Sequence, residues 1–416
     1  MKSALWVLVS SLAFGLPESR GTEGEDAWVL RAGEVHVGDG QVFRPGVVVV
    51  RGGKVLAVGP SVDVPSGAHE LDLGEGAITP GLVDAACQVG TERRVGFAEQ
   101  ASEVIPHLSL ADSVDFFSRD FERLVAGGVT TVYLTPEASS VLGSLGIAVK
   151  TAGPLSQRTL EARGMIKANL GPEGWRRGAR NRGPSRFTSN FFARRPTTRM
   201  GSTWVFRKAL YDARDYRDFG ETDRDEAAMK ALVDVLEGRV GLRFQAQESH
   251  DIQSAIRLTD EFGIPFLLEY GQEAYRLLDL LEQRKVPIVF GPIDAEPRHL
   301  PSSYRDGGTP CLTTPARLHE RGIAFALTAC DLLGEAGLAR QAGLAVRFGL
   351  EREAALKAVT ATPASFLGLG ERVGTLRAGS DADLVGWGGV PLEDHSAIEL
   401  VMISGHVVHD PKDLCE

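Results

Sequence analysis

Ile78-Thr79-Pro80-Gly81-Leu82-Val83-Asp84-Ala85-Ala86-Cys87-Gln88-Val89-Gly90 is the stretch on which the fold turns. Pro80-Gly81 signals a turn, and the apolar run behind it reads as a buried strand. That strand reaches Asp84 and runs on into small and polar residues. Upstream, residues 27–76 read as short strands and turns. Trp28 to His36 leads into the turn at Gly38-Asp39-Gly40, and Val47–Val50 is joined to Val55–Val58 by a hairpin signal at Arg51-Gly52-Gly53-Lys54. Downstream, strand-like runs alternate with amphipathic stretches as far as Leu369. Val129–Leu134, Leu242–Gln245, Ile264–Glu269, Val286–Phe290 and Ile323–Leu327 are the strands. Asp225–Glu237 carries apolar residues at helical spacing, and further helices are expected over Ile252–Phe262 and Glu273–Gln283. This alternation predicts the α/β class and a parallel sheet. So many units favour a closed (β/α)8 TIM barrel over residues 78–369. Residues 371–410 return to strands and turns. With residues 27–76 they predict a small β-sandwich domain built from both chain ends.

The bulk properties set limits. The chain has 416 residues, is 43% hydrophobic and 24% charged, and carries a formal net charge of −10. That charge argues against a nucleic-acid partner, because phosphate binding needs a positive surface. Residues 1–21 have the pattern of a signal peptide. Lys2 precedes the mostly apolar run Ala4–Leu16, and Ser19-Arg20-Gly21 offers a cleavage site. An exported protein, periplasmic or extracellular, is therefore expected, with no membrane span once that segment is removed. Four cysteines fall far short of a disulfide scaffold. Residues 172–200 are rich in arginine, with Glu173 as the single acid, and read as a long loop: either a lid that draws in an acidic ligand or a solvated insertion.

Several stretches resemble the metal-dependent amidohydrolase superfamily, in particular exported members of its imidazolonepropionase-like branch. The opening stretch is similar to that family's first barrel strand, Pro-Gly-aliphatic-aliphatic-Asp-x-His-x-His. Ala126 to Val132, Leu145 to Gly153, Pro196 to Gly201, Ala358 to Leu369, Val373 to Val385, Gly389 to Leu392 and Ile403 to Val408 match further segments. The resemblance implies a barrel with a small β-sandwich and hydrolysis of C–N bonds in amides, cyclic amides or peptides. It also implies a divalent metal such as zinc, which would activate water at the C-terminal mouth of the barrel.

Position by position, the ligand set is altered. The two first-strand histidines fall on Ala86 and Gln88. The fifth-strand His-x-His falls on Gln245 and Gln247, with Gln245 taken as the ligand position. The sixth-strand histidine falls on Tyr270. Alanine cannot ligate, a glutamine amide is a weak neutral ligand, and tyrosine would have to lose a proton whose ordinary pKa is about 10. Asp331 occupies the position expected for the catalytic, metal-binding aspartate. Lys150 is the candidate bridging lysine, with Lys167 competing for that role. None of the nine histidines falls on a matched ligand position, and each reads as a surface or loop residue. Cys87 and Cys330 read as buried thiols, with a disulfide between them as the sharper alternative.

The sequence thus leads to an amidohydrolase-superfamily protein, catalytically degenerate, with no cofactor and only a vestigial metal site at Lys150 and Asp331. Its expected partner is a small-molecule ligand or an active paralogue, and homo-oligomerisation is open. Two other readings stand beside it. One is an active metal-dependent amidohydrolase or dipeptidase with a site rearranged around Asp331, Lys150 and Glu269. The other is a non-enzymatic ligand- or partner-binding protein.

Overall fold

A computed structural model of the chain describes residues 27–90, 102–160, 164–171, 196, 198–220, 222–293 and 311–410. The leader-like residues 1–21, most of the Arg-rich stretch (172–195 and 197), His299 and Cys415 lie outside the described residues. Glycine begins the decisive strand for a steric reason: a Cβ on Gly81 would fall 2.1 Å from Thr130 Oγ1 on the neighbouring strand.

The N-terminal strands are β1 (Ala27–Ala32), β2 (Glu34–His36), β3 (Val42–Phe43), β4 (Gly46–Arg51), β5 (Lys54–Gly59), β6 (His69–Asp72) and β7 (Ala77–Pro80). The central ones are β8 (Leu82–Cys87), β9 (Val129–Leu134), β10 (Leu142–Leu145), β11 (Ile147–Lys150), β12 (Thr159–Leu160) and β13 (Met165–Asn169), then β14 (Gly241–Ala246), β15 (Phe266–Tyr270), β16 (Ile288–Phe290) and β17 (Phe325–Leu327). The chain closes with β18 (Leu384–Trp387), β19 (Ile398–Ile403) and β20 (His406–His409). Two sheets contain the outer strands, in the orders β5-β4-β1-β6 and β20-β19-β18-β7-β2-β3. The second sheet therefore mixes strands from both ends of the chain. Leu30, Val48, Val50, Ile78, Leu384 and Met402 share one buried cluster with strands of both sheets.

The central strands form two sheets, ordered β10-β13-β14-β15-β16-β17 and β12-β11-β9-β8. β13 to β17 pair in parallel, as do β8 and β9. The expected ring of eight parallel strands is not what the described residues show. β10 runs antiparallel to β13, and β11 antiparallel to β9. β10 and β11 follow each other with only Gly146 between them, one pairing with β13 and the other with β9, so this single segment runs against a strand of each central sheet. β8 and β17 meet without a ladder. Gln88 N–H donates to the Cys330 carbonyl (3.1 Å), and Asp84 accepts from Thr328 Oγ1 (2.6 Å) and from the Ala329 N–H (2.9 Å).

Strand alternation sorts the side chains. Val83, Ala85, Tyr133, Met165, Leu267, Val289 and Ala326 form an inner cluster, plugged by Ala364 and Leu367. Leu82, Leu134, Leu268, Phe290 and Leu327 pack outward against the helices. The 21-residue helix Arg199–Phe219 was not expected, because the residues before it lack apolar periodicity. Thr198 caps it by accepting from Gly201 N–H, so the Arg-rich stretch ends inside a helix and not in a loop.

Arg158 shows how this fold disposes of a buried cation. Its guanidinium donates to the carbonyls of Phe116 (2.8 Å), Lys150 (2.9 Å) and Thr151 (2.7 Å), and lies 4.8 and 4.3 Å from the rings of Phe116 and Phe121. Arg158→Ala is expected to lower unfolding stability by about 2–4 kcal/mol, through three orphaned carbonyls and a lost cation–π contact. Urea denaturation checks this, and a loss below about 0.5 kcal/mol, the scale of an ordinary surface substitution, would contradict it.

Candidate functional site

The inward face of the central sheets carries charge where an apolar filling would be usual. Lys167 on β13 is in register with Arg243 on β14, and Glu269 on β15 lies level with Gln245 and Asn169. Lys167, Arg243 and Glu269 are each fully buried. Both Glu269 oxygens are engaged: Lys167 Nζ binds Oε2, Arg243 Nε binds Oε1, and Thr135 Oγ1 donates to Oε1 at 3.3 Å. Arg243 Nη2 also donates to the Ala85 carbonyl, and its guanidinium lies 4.3 Å from the Tyr133 ring. Burial alone pushes the Glu269 carboxyl up, but Arg243 and then Lys167 outweigh it and hold it below its ordinary value. The Tyr133 hydroxyl is pushed up to about 12, chiefly by burial. Asp84 is raised by burial despite its bonds from Thr328, Ala86 and Ala329.

Tyr270 follows Glu269, so a regular strand would turn the two to opposite faces. Instead its backbone is left-handed (φ 71°), a costly conformation for a bulky residue, and its ring turns toward Lys167, 5.3 Å away. Its hydroxyl lies 3.4 Å from Cys330 Sγ, and Cys330, also left-handed (φ 59°), lies 3.8 Å from Gln88 Oε1. Gln88 Nε2 donates to the Pro136 carbonyl at 3.4 Å. Ala86 packs in the inner cluster with its N–H on Asp84 Oδ1. Of the positions singled out in the sequence, Gln88 and Tyr270 are thus brought together through Cys330, and Tyr270 reaches Lys167.

Three expectations need correction, and the reading of Cys87 and Cys330 as buried thiols holds. Lys150 is not at this site. Its ammonium points into the outer sheets, 2.8 Å from Asp381, 2.9 Å from Asp383 and 2.8 Å from Ser404 Oγ. β11 runs antiparallel to β9, so its last residue pairs with Thr131 near the start of β9, at the end of the sheet that meets Asp381 and Asp383, while Lys167 holds the inner position. Asp331 is exposed and lines a groove of about 1240 Å³ beside the C-terminal sheet, with Arg123, Trp387 and Asp394. Ala326 and Thr328 face inward and Leu327 and Ala329 outward, so Asp331 falls on the outward phase. Cys87 and Cys330 are both free thiols, because Cys87 packs in the outer layer; burial raises its thiol well above the usual range. His36 is buried, not exposed, with its ring nitrogens 3.2 Å from Glu34 and 2.9 Å from Glu353.

These side chains do not fit a divalent metal. The family's histidine positions offer a methyl group, two neutral amides and a phenol already paired with a thiol. The carboxylate at their centre is saturated by two fixed cations, which would repel a third. A second acidic group, Glu248, His250 and Asp251, has its cation supplied by the chain: Arg199 donates to Glu248 (3.0 Å) and Asp251 (2.9 Å). Sequence reasoning missed Arg243. The signal available was a charged residue inside each of the strand runs Met165–Asn169, Leu242–Gln245 and Ile264–Glu269, which burial tolerates only if the charges meet.

Comparison with known proteins places this geometry. The chain shares 30% identity with the amidohydrolase of Thermotoga maritima MSB8, covering 92% of this chain and all of that one, with a TM-score of 0.80. The amidohydrolase family model matches residues 300–408. The chain belongs to the amidohydrolase family. It is 24% identical over 426 residues to the amidohydrolase tasK of Hapsidospora irregularis, covering 94% of this chain and 42% of that relative, so it spans less than half the relative's length. A Xaa-Pro dipeptidase with methionine bound in its active site shares the fold at 14% identity, with a TM-score of 0.59 over 92% of this chain and all of that one.

Proposed function

We propose that this member of the amidohydrolase family is catalytically degenerate: it keeps the barrel-type scaffold and binds a ligand or partner without metal-dependent C–N hydrolysis. One observation carries this reading. Lys167 and Arg243 converge on Glu269 at the centre of the inner face, where the family's chemistry would need a divalent ion and activated water. The alternative site built on Asp331, Lys150 and Glu269 has no common geometry, since Lys150 and Asp331 point away from Glu269. The signal-like pattern at residues 1–21 supports export.

Metal analysis of the purified chain tests the reading. The expected result is no stoichiometric zinc, manganese or iron, together with no turnover of a broad panel of amides and dipeptides. About one tightly held divalent ion per chain, as the family's chemistry requires, would overturn it. So would hydrolysis abolished by Asp331→Asn.

A further inference from the structure

The helix Arg199–Phe219 buries one face and leaves the other bare. Val205, Phe206, Ala209, Leu210 and Ala213 enter a buried cluster with Ile166 and Phe244 of the central sheet. The opposite face carries Met200, Trp204, Lys208, Tyr211, Asp215 and Phe219, all exposed. Among the described residues ten large hydrophobic side chains are exposed, and four of them lie on this stripe: Met200 (80%), Trp204 (56%), Tyr211 (44%) and Phe219 (78%). Such a concentration on one surface helix marks an interaction surface. Steps of three and four keep the six residues within an arc of about 100°. Their order is also symmetric. The steps run four, four, three, four and four, the same from either end.

We infer that this face pairs with the same face of a second copy of the chain, the two helices antiparallel across a two-fold axis at the level of Ala209 and Leu210. In that register Met200 meets the partner's Phe219, Trp204 meets the partner's Asp215, and Lys208 meets the partner's Tyr211, and the three pairs recur in reverse across the axis. Each pair is favourable: a thioether against a ring, an indole N–H donating to a carboxylate, an ammonium over a phenol face. The Tyr211 ring is already held in place, its hydroxyl donating to Glu261 at 3.1 Å and its edge against Phe262 at 5.0 Å. Charge favours the same orientation. Arg199, Arg207 and Lys208 stand in the first half of the helix, while in the second Asp212, Asp215 and Asp218 outnumber Arg214 and Arg217. Antiparallel helices therefore set opposite signs and opposed dipoles side by side, where parallel ones would set like against like. A closed two-fold dimer needs one self-complementary patch, which a palindromic stripe supplies and a partner of another sequence would not require. The face measures about 31 Å by 10 Å, at the small end of specific interfaces, so the affinity expected is micromolar. None of these residues belongs to the inner face, so the dimer stands or falls apart from the metal-free reading.

Sedimentation velocity of the purified chain, from about 1 to about 50 μM, tests the dimer across the micromolar range. A reversible shift from one to two chain masses is expected. Trp204→Glu sets two acids against each other, twice per dimer, and should weaken association about thirtyfold or more, the scale of a lost tryptophan anchor. Adding Asp215→Lys to that variant restores opposite charges and should recover part of the loss. Crosslinking reads the register without touching Trp204, and so decides the matter whatever the glutamate does to the helix. Chains with Met200→Cys mixed with chains with Phe219→Cys and treated with a short bismaleimide should join well above the wild-type background. Met200→Cys alone should not, because its two copies would stand about 28 Å apart. A monomer throughout the range, a dimer indifferent to Trp204→Glu, no crosslinking of the mixed chains, or crosslinking of Met200→Cys to itself would overturn the pairing.

Discussion

Glu269→Gln is expected to destabilise the chain by about 3–5 kcal/mol, the cost of removing one partner from a buried ion network. Lys167, Arg243 and Glu269 have no exposed surface, so water cannot take over from the lost carboxylate. Glutamine offers one acceptor where two cations now share two oxygens, and its amide N–H would face one of them. The pH dependence has a definite sign. The Glu269 carboxyl is held below its ordinary value, so its contribution is fully present above the unfolded pKa of about 4.3 and disappears as pH falls through the folded value. Wild type should therefore show an acid limb that Glu269→Gln lacks, and the gap between the two should close toward low pH. Replacing all three residues by Met, Met and Leu should recover most of the loss, since no charge is then left buried and unpaired. Urea denaturation from pH 7 down to pH 3 reads all of this; a Glu269→Gln variant within about 1 kcal/mol of wild type would show that the network is not holding the central strands together.

The part of this architecture legible in the sequence is the part written in local period. Pro80-Gly81 and the apolar run behind it mark the strand because turn chemistry and burial are local. Asp225 capping the helix Glu226–Leu236 is local too. The reversal at Leu142–Lys150 is hidden, because Val-Leu-Gly-Ser-Leu reads the same in a parallel or an antiparallel strand. The site divides along the same line. Ala86, Gln88 and Tyr270 could be read by matching a pattern. Lys150 and Lys167 could not be told apart, because both follow apolar residues and their difference is which end of the sheet each reaches, set by the antiparallel run of β11. Asp331 misled for the opposite reason: the pattern placed it at the right strand end, and the left-handed turn at Cys330 together with the outward phase took it away. Tyr270 escapes alternation through its positive φ, a property no side-chain pattern reports.

Lys150→Met should be about as damaging as Glu269→Gln, and for a reason that has nothing to do with the site. Lys150 ties the central sheet to the outer ones: its ammonium sits between Asp381 and Asp383, with Ser404 Oγ as third partner, and all but a few per cent of it is buried. Methionine fills the same volume without the charge, so packing is spared and the loss reports electrostatics alone. Asp383 would keep the Ser404 N–H as a donor and lose its cation, while Asp381 retains Lys54 and Arg372. A loss of about 3–5 kcal/mol at pH 7 follows from leaving such a carboxylate uncompensated. Burial alone would raise Asp381, but Lys150, then Lys54 and Arg372, hold its carboxyl at about 2. That depressed value contributes stability which is present above the unfolded pKa of about 3.9 and lost as pH falls toward 2. Asp383 is raised by burial against the pull of Lys150, so without the lysine it should take up a proton at still higher pH. Both effects make the variant's deficit greatest near neutrality and smallest in acid. A deficit that stays constant from pH 7 to pH 3 would mean that the methionine disturbs packing, and that the two layers are joined by shape and not by this charge cluster.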